Sequence, residues 1–118
     1  MIEELLYTVL TSAVPDKVRV HAVSFPESTQ LPTVVFAFVG GTSNPTFDTS
    51  GMSRYRIEVS CYAKAYVDAV RLRSSITGAL DGYVDDNMDI TKISAFDDFD
   101  HETVTFRALA EFYILSVL

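Results

Sequence analysis

The sequence predicts an α+β fold: a mostly antiparallel β-sheet with two helices packed on one face, in the order αβββαββ. Three observations predict it. The N-terminal residues carry an apolar stripe at helical spacing. A strand beginning at Arg54 runs without Gly or Pro into a second helical pattern that ends near Leu80. The C-terminal third holds two β-rich stretches on either side of an acidic bend.

The first helix follows from Ile2, Leu5, Leu6, Val9, Leu10 and Ala13, which recur at i, i+3, i+4, i+7, i+8 and i+11. Glu3 and Glu4 in its first turn suit the helix dipole, and Pro15 stops it at or before Val14. "KVRVHAV" (17–23) alternates Val18, Val20 and Ala22 with Arg19 and His21, a half-buried strand. "SFPESTQLP" (24–32), with two prolines, reads as a loop. "TVVFAFVG" (33–40) is β-branched and aromatic throughout, the pattern of a central strand covered on both faces.

"GTSNPTFDTSG" (41–51) is the longest stretch without a period, and loops of this length in compact domains often carry function. In the strand 52–62, Tyr55, Ile57, Val59 and Cys61 point one way and Arg54, Arg56, Glu58 and Ser60 the other. The helix 64–80 presents Tyr66, Ala69, Val70, Arg73, Ile76, Thr77 and Leu80, and Asp81-Gly82 ends it. After the turn "YVDDN", strands are expected at 88–96 and 103–117 around the bend "DDFDHE". The last strand sets Val104, Phe106, Ala108, Ala110, Phe112 and Ile114 against Thr105, Arg107, Glu111 and Tyr113, and its length offers an edge for pairing.

At 118 residues and 48% hydrophobic, the chain is expected to be a single domain, 1–118, with a core that needs neither disulfide nor metal. No apolar run reaches the ~18–20 residues of a membrane span. "MIEELLYTVL" has no basic n-region and does not read as a signal peptide. A soluble protein made in a cytoplasm is the expectation. Cys61 is the only cysteine, so no intrachain disulfide forms. The net charge of −7 and scattered Lys and Arg argue against gripping nucleic-acid phosphate.

Candidate chemistry is sparse. His21 lies beside Arg19 and His101 in the acidic bend, neither with a nucleophile at useful spacing. Cys61 falls on the apolar face of its strand and reads as a small hydrophobe. Asp81, Asp85, Asp86, Asp89, Asp97, Asp98, Asp100 and Glu102 are half of all the acids. "DGYVDDNMD" lacks the spaced ligands and terminal Glu of a calcium loop. A solvated acidic edge is the better reading, with Asp85, Asp86 and Asp89 its foremost members and weak divalent-ion binding the rival. Gly40-Gly41 follows a strand, but no Lys-Ser/Thr follows to make a phosphate loop. No catalytic, cofactor or metal site is expected.

"MIEELLYTVLTSAV", "LPTVVFAFVGG", "RYRIEVSCYAKAYVDAVRLRSSITGAL" and "DHETVTFRALAEFYI", in this order, resemble the phage tail completion proteins, also called tail terminators or tail-to-head joining proteins. The most specific pieces are Tyr62, Ala63 and Tyr66 at the strand–helix junction, and Glu102, Thr103, Phe106 and Arg107 opening the last strand. The resemblance spans nearly the whole chain. It implies a homo-oligomer, a hexameric ring at the head-proximal end of a virion's tail tube, assembled in the host cytoplasm. It implies tube protein and head connector as partners, a channel through which DNA passes without specific binding, no membrane and no catalysis. A small α+β protein-binding module or regulator is the alternative. On general grounds Gly41, Thr42, Asn44, Phe47 and Asp48 of the long loop are candidate subunit or partner contacts. Tyr62 and Tyr66 at the junction join them. Asp85, Asp86 and Asp89 would form an acidic edge or line the lumen.

Overall fold

The computed structural model describes residues 2–24, 30–39, 46–47 and 53–116. Helix α1 is Ile2–Ser12, followed by strands β1 (Arg19–Ala22), β2 (Thr33–Phe38), β3 (Thr46–Phe47) and β4 (Ser53–Ala63). Helix α2 (Tyr66–Leu80) and strands β5 (Met88–Asp100) and β6 (Thr105–Ser116) follow. The expected order holds, with the two-residue β3 added inside the long loop. The six strands form one sheet, in the order β1-β2-β4-β6-β5, with β3 paired to β4 beside that path. Among the described residues, only β1 and β2 pair in parallel; the other pairs are antiparallel.

Both helices pack on one face of the sheet. Ile2, Leu6 and Leu10 of α1 and Ala69, Leu72, Ile76 and Leu80 of α2 share one buried cluster with Val20, Val34, Phe36, Ile57, Val59, Cys61, Ile90, Ala110, Phe112 and Ile114. The sheet residues alternate along their strands, so every second side chain of β4 and β6 enters this core. The buried stripe of α2 runs through Leu72, which the sequence reading left off the apolar face. Arg73, expected on that face, sits at its margin, where its head group reaches β5.

Two features of the C-terminal half differ from expectation. "DDFDHE" is not a bend: β5 continues through Asp97, Asp98 and Phe99 to Asp100, and the chain reverses over 101–104. Val104, expected in the last strand, is exposed in that turn with φ +50°. Nor is the last strand an edge, because β6 lies between β4 and β5. The thirteen-residue β5 takes the edge position instead. A β-bulge between Lys92 and Ser94 shifts its register by one, so Ile90 and then Ala95, Asp97 and Phe99 face the helices.

Gly82 follows α2 with φ +82°, a left-handed conformation that terminates the helix, and its N–H donates to the Ile90 carbonyl at 2.9 Å. Gly82→Ala is expected to lower unfolding free energy by about 1 kcal/mol. Gly78 lies inside α2, where an added methyl meets nothing within 4 Å. Gly78→Ala should therefore raise stability by about 0.5–1 kcal/mol. Urea denaturation of the two variants checks both signs.

Candidate functional site

The strand-to-helix junction takes only Lys64 and Ala65, with Ala65 extended at φ −116° and ψ 137° and no side-chain cap on α2. The β5–β6 hairpin supplies the restraint a cap would otherwise give. Lys64 Nζ donates to the Thr103 carbonyl at 2.7 Å, and the Tyr66 hydroxyl donates to Asp97 Oδ2 at 2.6 Å. Arg73, two turns along, pairs with the other oxygen of Asp97 and donates to the Phe96 carbonyl. The Tyr66 ring meets Phe106 edge-on at 5.8 Å, and Phe106 packs on Phe99 at 4.6 Å. The junction is thus a clamp between α2 and the hairpin.

The Tyr66 hydroxyl, followed by Arg73, holds the Asp97 carboxyl below its usual range. A depressed carboxylate adds stability above its unfolded value near ~4, and that stability is lost as pH falls through the lower folded value. The start of α2 is therefore expected to lose amide-exchange protection as pH drops below ~4. Asp97→Asn should show the weaker protection at neutral pH and no such step.

Tyr62 and Tyr66, both candidate contacts, lie on opposite faces of the sheet. Tyr62 alternates with Cys61 and Ala63 and so lies on the helix-free face, opposite Thr33 and Arg107. Arg107 donates to Asp98 Oδ2 at 2.7 Å and to the Tyr62 hydroxyl, and lies over the Phe96 ring at 5.6 Å. Further along, Arg56 Nε donates to Glu111 Oε2 at 2.9 Å, and Arg54 sits 3.9 Å above the Tyr113 ring. Leu109, 0% exposed, and Glu111, 8% exposed, lie on this same face. Its side chains are thus cross-linked by charge across β4, β6 and β5, without a helix over them among the described residues.

The acids do not form one cluster. Asp85 Oδ1 accepts from the Asn87 and Met88 amides at 2.7 and 2.9 Å, and Oδ2 from the Tyr83 hydroxyl at 2.8 Å, so this carboxylate closes the turn before β5. Those amides and the hydroxyl hold its pKa low, the Asn87 amide foremost. Asp86 is exposed in the same turn, and Asp89 is exposed on β5 opposite Leu115. Asp97, Asp98 and Asp100 stand at the other end of β5, a strand of roughly 40 Å at ~3.3 Å per residue. Among the described residues, no three His, Cys, Asp or Glu side chains are grouped to hold a metal ion. No described helix is long and apolar enough to cross a membrane.

Gly41, Thr42, Asn44 and Asp48 lie outside the described residues, and of Phe47 only the strand pairing with Ser53 is described. What the sequence reading missed is the group Asp97, Asp98, Arg73 and Arg107 that ties β5 to α2 and β6. The signal was the spacing of Asp97 and Phe99 against Phe96 and Asp98, hidden by the bulge that shifts the alternation.

The elements define a two-layer α+β protein: a mixed, mainly antiparallel sheet under two helices. No protein-family model and no curated protein matches the chain. Among solved structures, it is similar to a chain from the virion of a native gene transfer agent (GTA) particle. The TM-score is 0.61 at 13% sequence identity, over 92% of this chain and 84% of that one. The likeness is one of fold.

Proposed function

We propose that this chain is a structural subunit of a phage-like virion, a tail completion protein. It forms a homo-hexameric ring at the head-proximal end of the tail tube and joins the tail to the head connector. The observation that carries the reading is the fold shared with a chain of the GTA virion along nearly its whole length. The charged, helix-free sheet face adds support, since a subunit of a ring needs surfaces beyond its own core. A net charge of −7 suits a ring that lets DNA pass without holding it. The chemistry is binding and closure, with no bond made or broken.

Light scattering across a wide concentration range, with negative-stain imaging, tests the reading together with addition of purified tail tubes. The expected results are a species of six times the 13.1 kDa protomer mass and tubes capped at one end. Tubes that neither bind the chain nor stop growing in its presence would overturn it. Residues 42–50 are the foremost candidate for partner contact. Their deletion is expected to abolish tail joining, and a deletion variant that still joins tails would remove that role.

A further inference from the structure

The outer strands of the sheet differ in direction and in charge. Strands β1, β2 and β6 run one way and β4 and β5 the other, so the two edge strands β1 and β5 are antiparallel to each other. Among the described residues, no strand pairs with the outer side of β1, and the outer side of β5 is covered by Asp81–Asp85 as far as Lys92 and is unpaired beyond it. The pairing registers also set which residues stand level across the sheet. Arg19 is level with Thr33, Tyr62, Arg107 and finally Asp98, all on the helix-free face. Val20 is likewise level with Asp97, and His21 with Phe96.

We propose that the β5 edge of one copy receives the β1 edge of the next, so that the sheet continues from subunit to subunit with Arg19 opposite the neighbour's Asp98. This deepens the ring reading by naming its seam, and it rests on that reading. Copies set side by side in the same orientation bring β5 against β1 antiparallel, the more stable pairing. With no stagger Arg19 meets Asp98. A stagger of two residues toward the hairpin end opposes Arg19 with Asp100 instead and keeps the faces matched.

Arg19 and Lys17 are exposed, and their side chains make no hydrogen bond or ion pair with a described residue. Asp98 already accepts from Arg107 and retains lone pairs for a second guanidinium. The rival pairing, β5 against β5 about a two-fold axis, would face Asp89, Asp97, Asp98 and Asp100 with the same acids, opposed only by Lys92. Like charge thus guards this edge against its own kind while leaving it open to the basic edge. The contact joins two different patches, which is the heterologous kind that closes rings.

Charge reversal in the full-length chain tests the seam. Arg19→Glu sets a Glu against Asp98, and Asp98→Lys sets a Lys against Arg19. Each alone should raise the concentration for half-assembly roughly tenfold, the size of one attraction turned into repulsion. Mixed one to one, the two variants should assemble again, because each then meets its opposite. Circular dichroism melting of each variant confirms that the monomer is folded. Rings unaffected by either reversal, or a mixture that assembles no better than its parts, would overturn the seam and leave the ring reading standing. Where the wild type stays small in solution, an oxidised Arg19→Cys, Asp98→Cys double variant is expected to give a ladder beyond the dimer. Absence of that ladder would overturn the seam, while tube capping separately decides the tail-completion reading.

Discussion

Phe112→Ala is expected to lower the free energy of unfolding by about 3–5 kcal/mol, a large share of the stability of a domain this size. Phe112 is 0% exposed, sits mid-way along β6 and pairs with Ile57 on β4 and Lys92 on β5. It belongs to the cluster that receives residues from both helices. Truncation removes the transfer energy of the ring and leaves a cavity whose walls come from several elements and relax only in part. Phe96 is the control. It lies on the helix-free face beside Arg107 and is 46% exposed, so Phe96→Ala should cost nearer ~1 kcal/mol. Urea midpoints for the two variants measure the contrast. Equal losses would mean that the helix-free face is as tightly covered as the core.

The two faces also separate what was legible in the sequence from what was not. Helix α1 and the core faces of β4 and β6 were readable because each buries one side against a single layer, which leaves a clean period of 3.6 or 2. Ile57, Val59 and Cys61 opposite Arg56 and Glu58 are such a case. Strand β5 was readable only in its first half. Its outer half is exposed on both sides, and the bulge after Lys92 reverses the alternation, so Asp97, Asp98 and Asp100 looked like a solvated bend. Strand order is non-local information. Nothing within 103–117 tells that β5 and not β6 takes the edge, since edge position is set by which partner folds back, not by the strand's own residues.

The candidate site was legible in composition but not in arrangement. The sequence picked out an acidic edge and the Tyr62–Tyr66 junction. The structure distributes them: Asp85 to a turn, Tyr66 to a clamp with Asp97, and Tyr62 to the helix-free face with Arg107 and Asp98. Arg107 was legible on the polar face of the last strand, but without its partner. Its pairing with Asp98 depends on register across a hairpin, and register follows from the bulge.

Cys61 should be unreactive in the native protein. Its side chain lies on the core face of β4, 0% exposed, and burial pushes the thiol up to about 12 against the opposing charge of Arg73. The thiolate is the reacting species, so at pH 8 the ionised fraction falls by roughly a thousandfold against a free thiol, before access is considered. Labelling with a disulfide reagent is expected to proceed only as the sheet opens and to accelerate sharply in denaturant. The raised value also sets a sign for stability at high pH. The unfolded thiol loses its proton near ~9 while the folded one retains it, so stability falls as pH climbs from ~9 toward 12. Cys61→Ala should flatten that slope, at the cost of a small cavity. Rapid labelling of the folded wild type would contradict the burial of β4 and reopen a chemical role for the junction. Slow labelling leaves the strand and helix with the task the geometry gives them, holding α2 against the hairpin whose outer strand is the edge strand of the sheet.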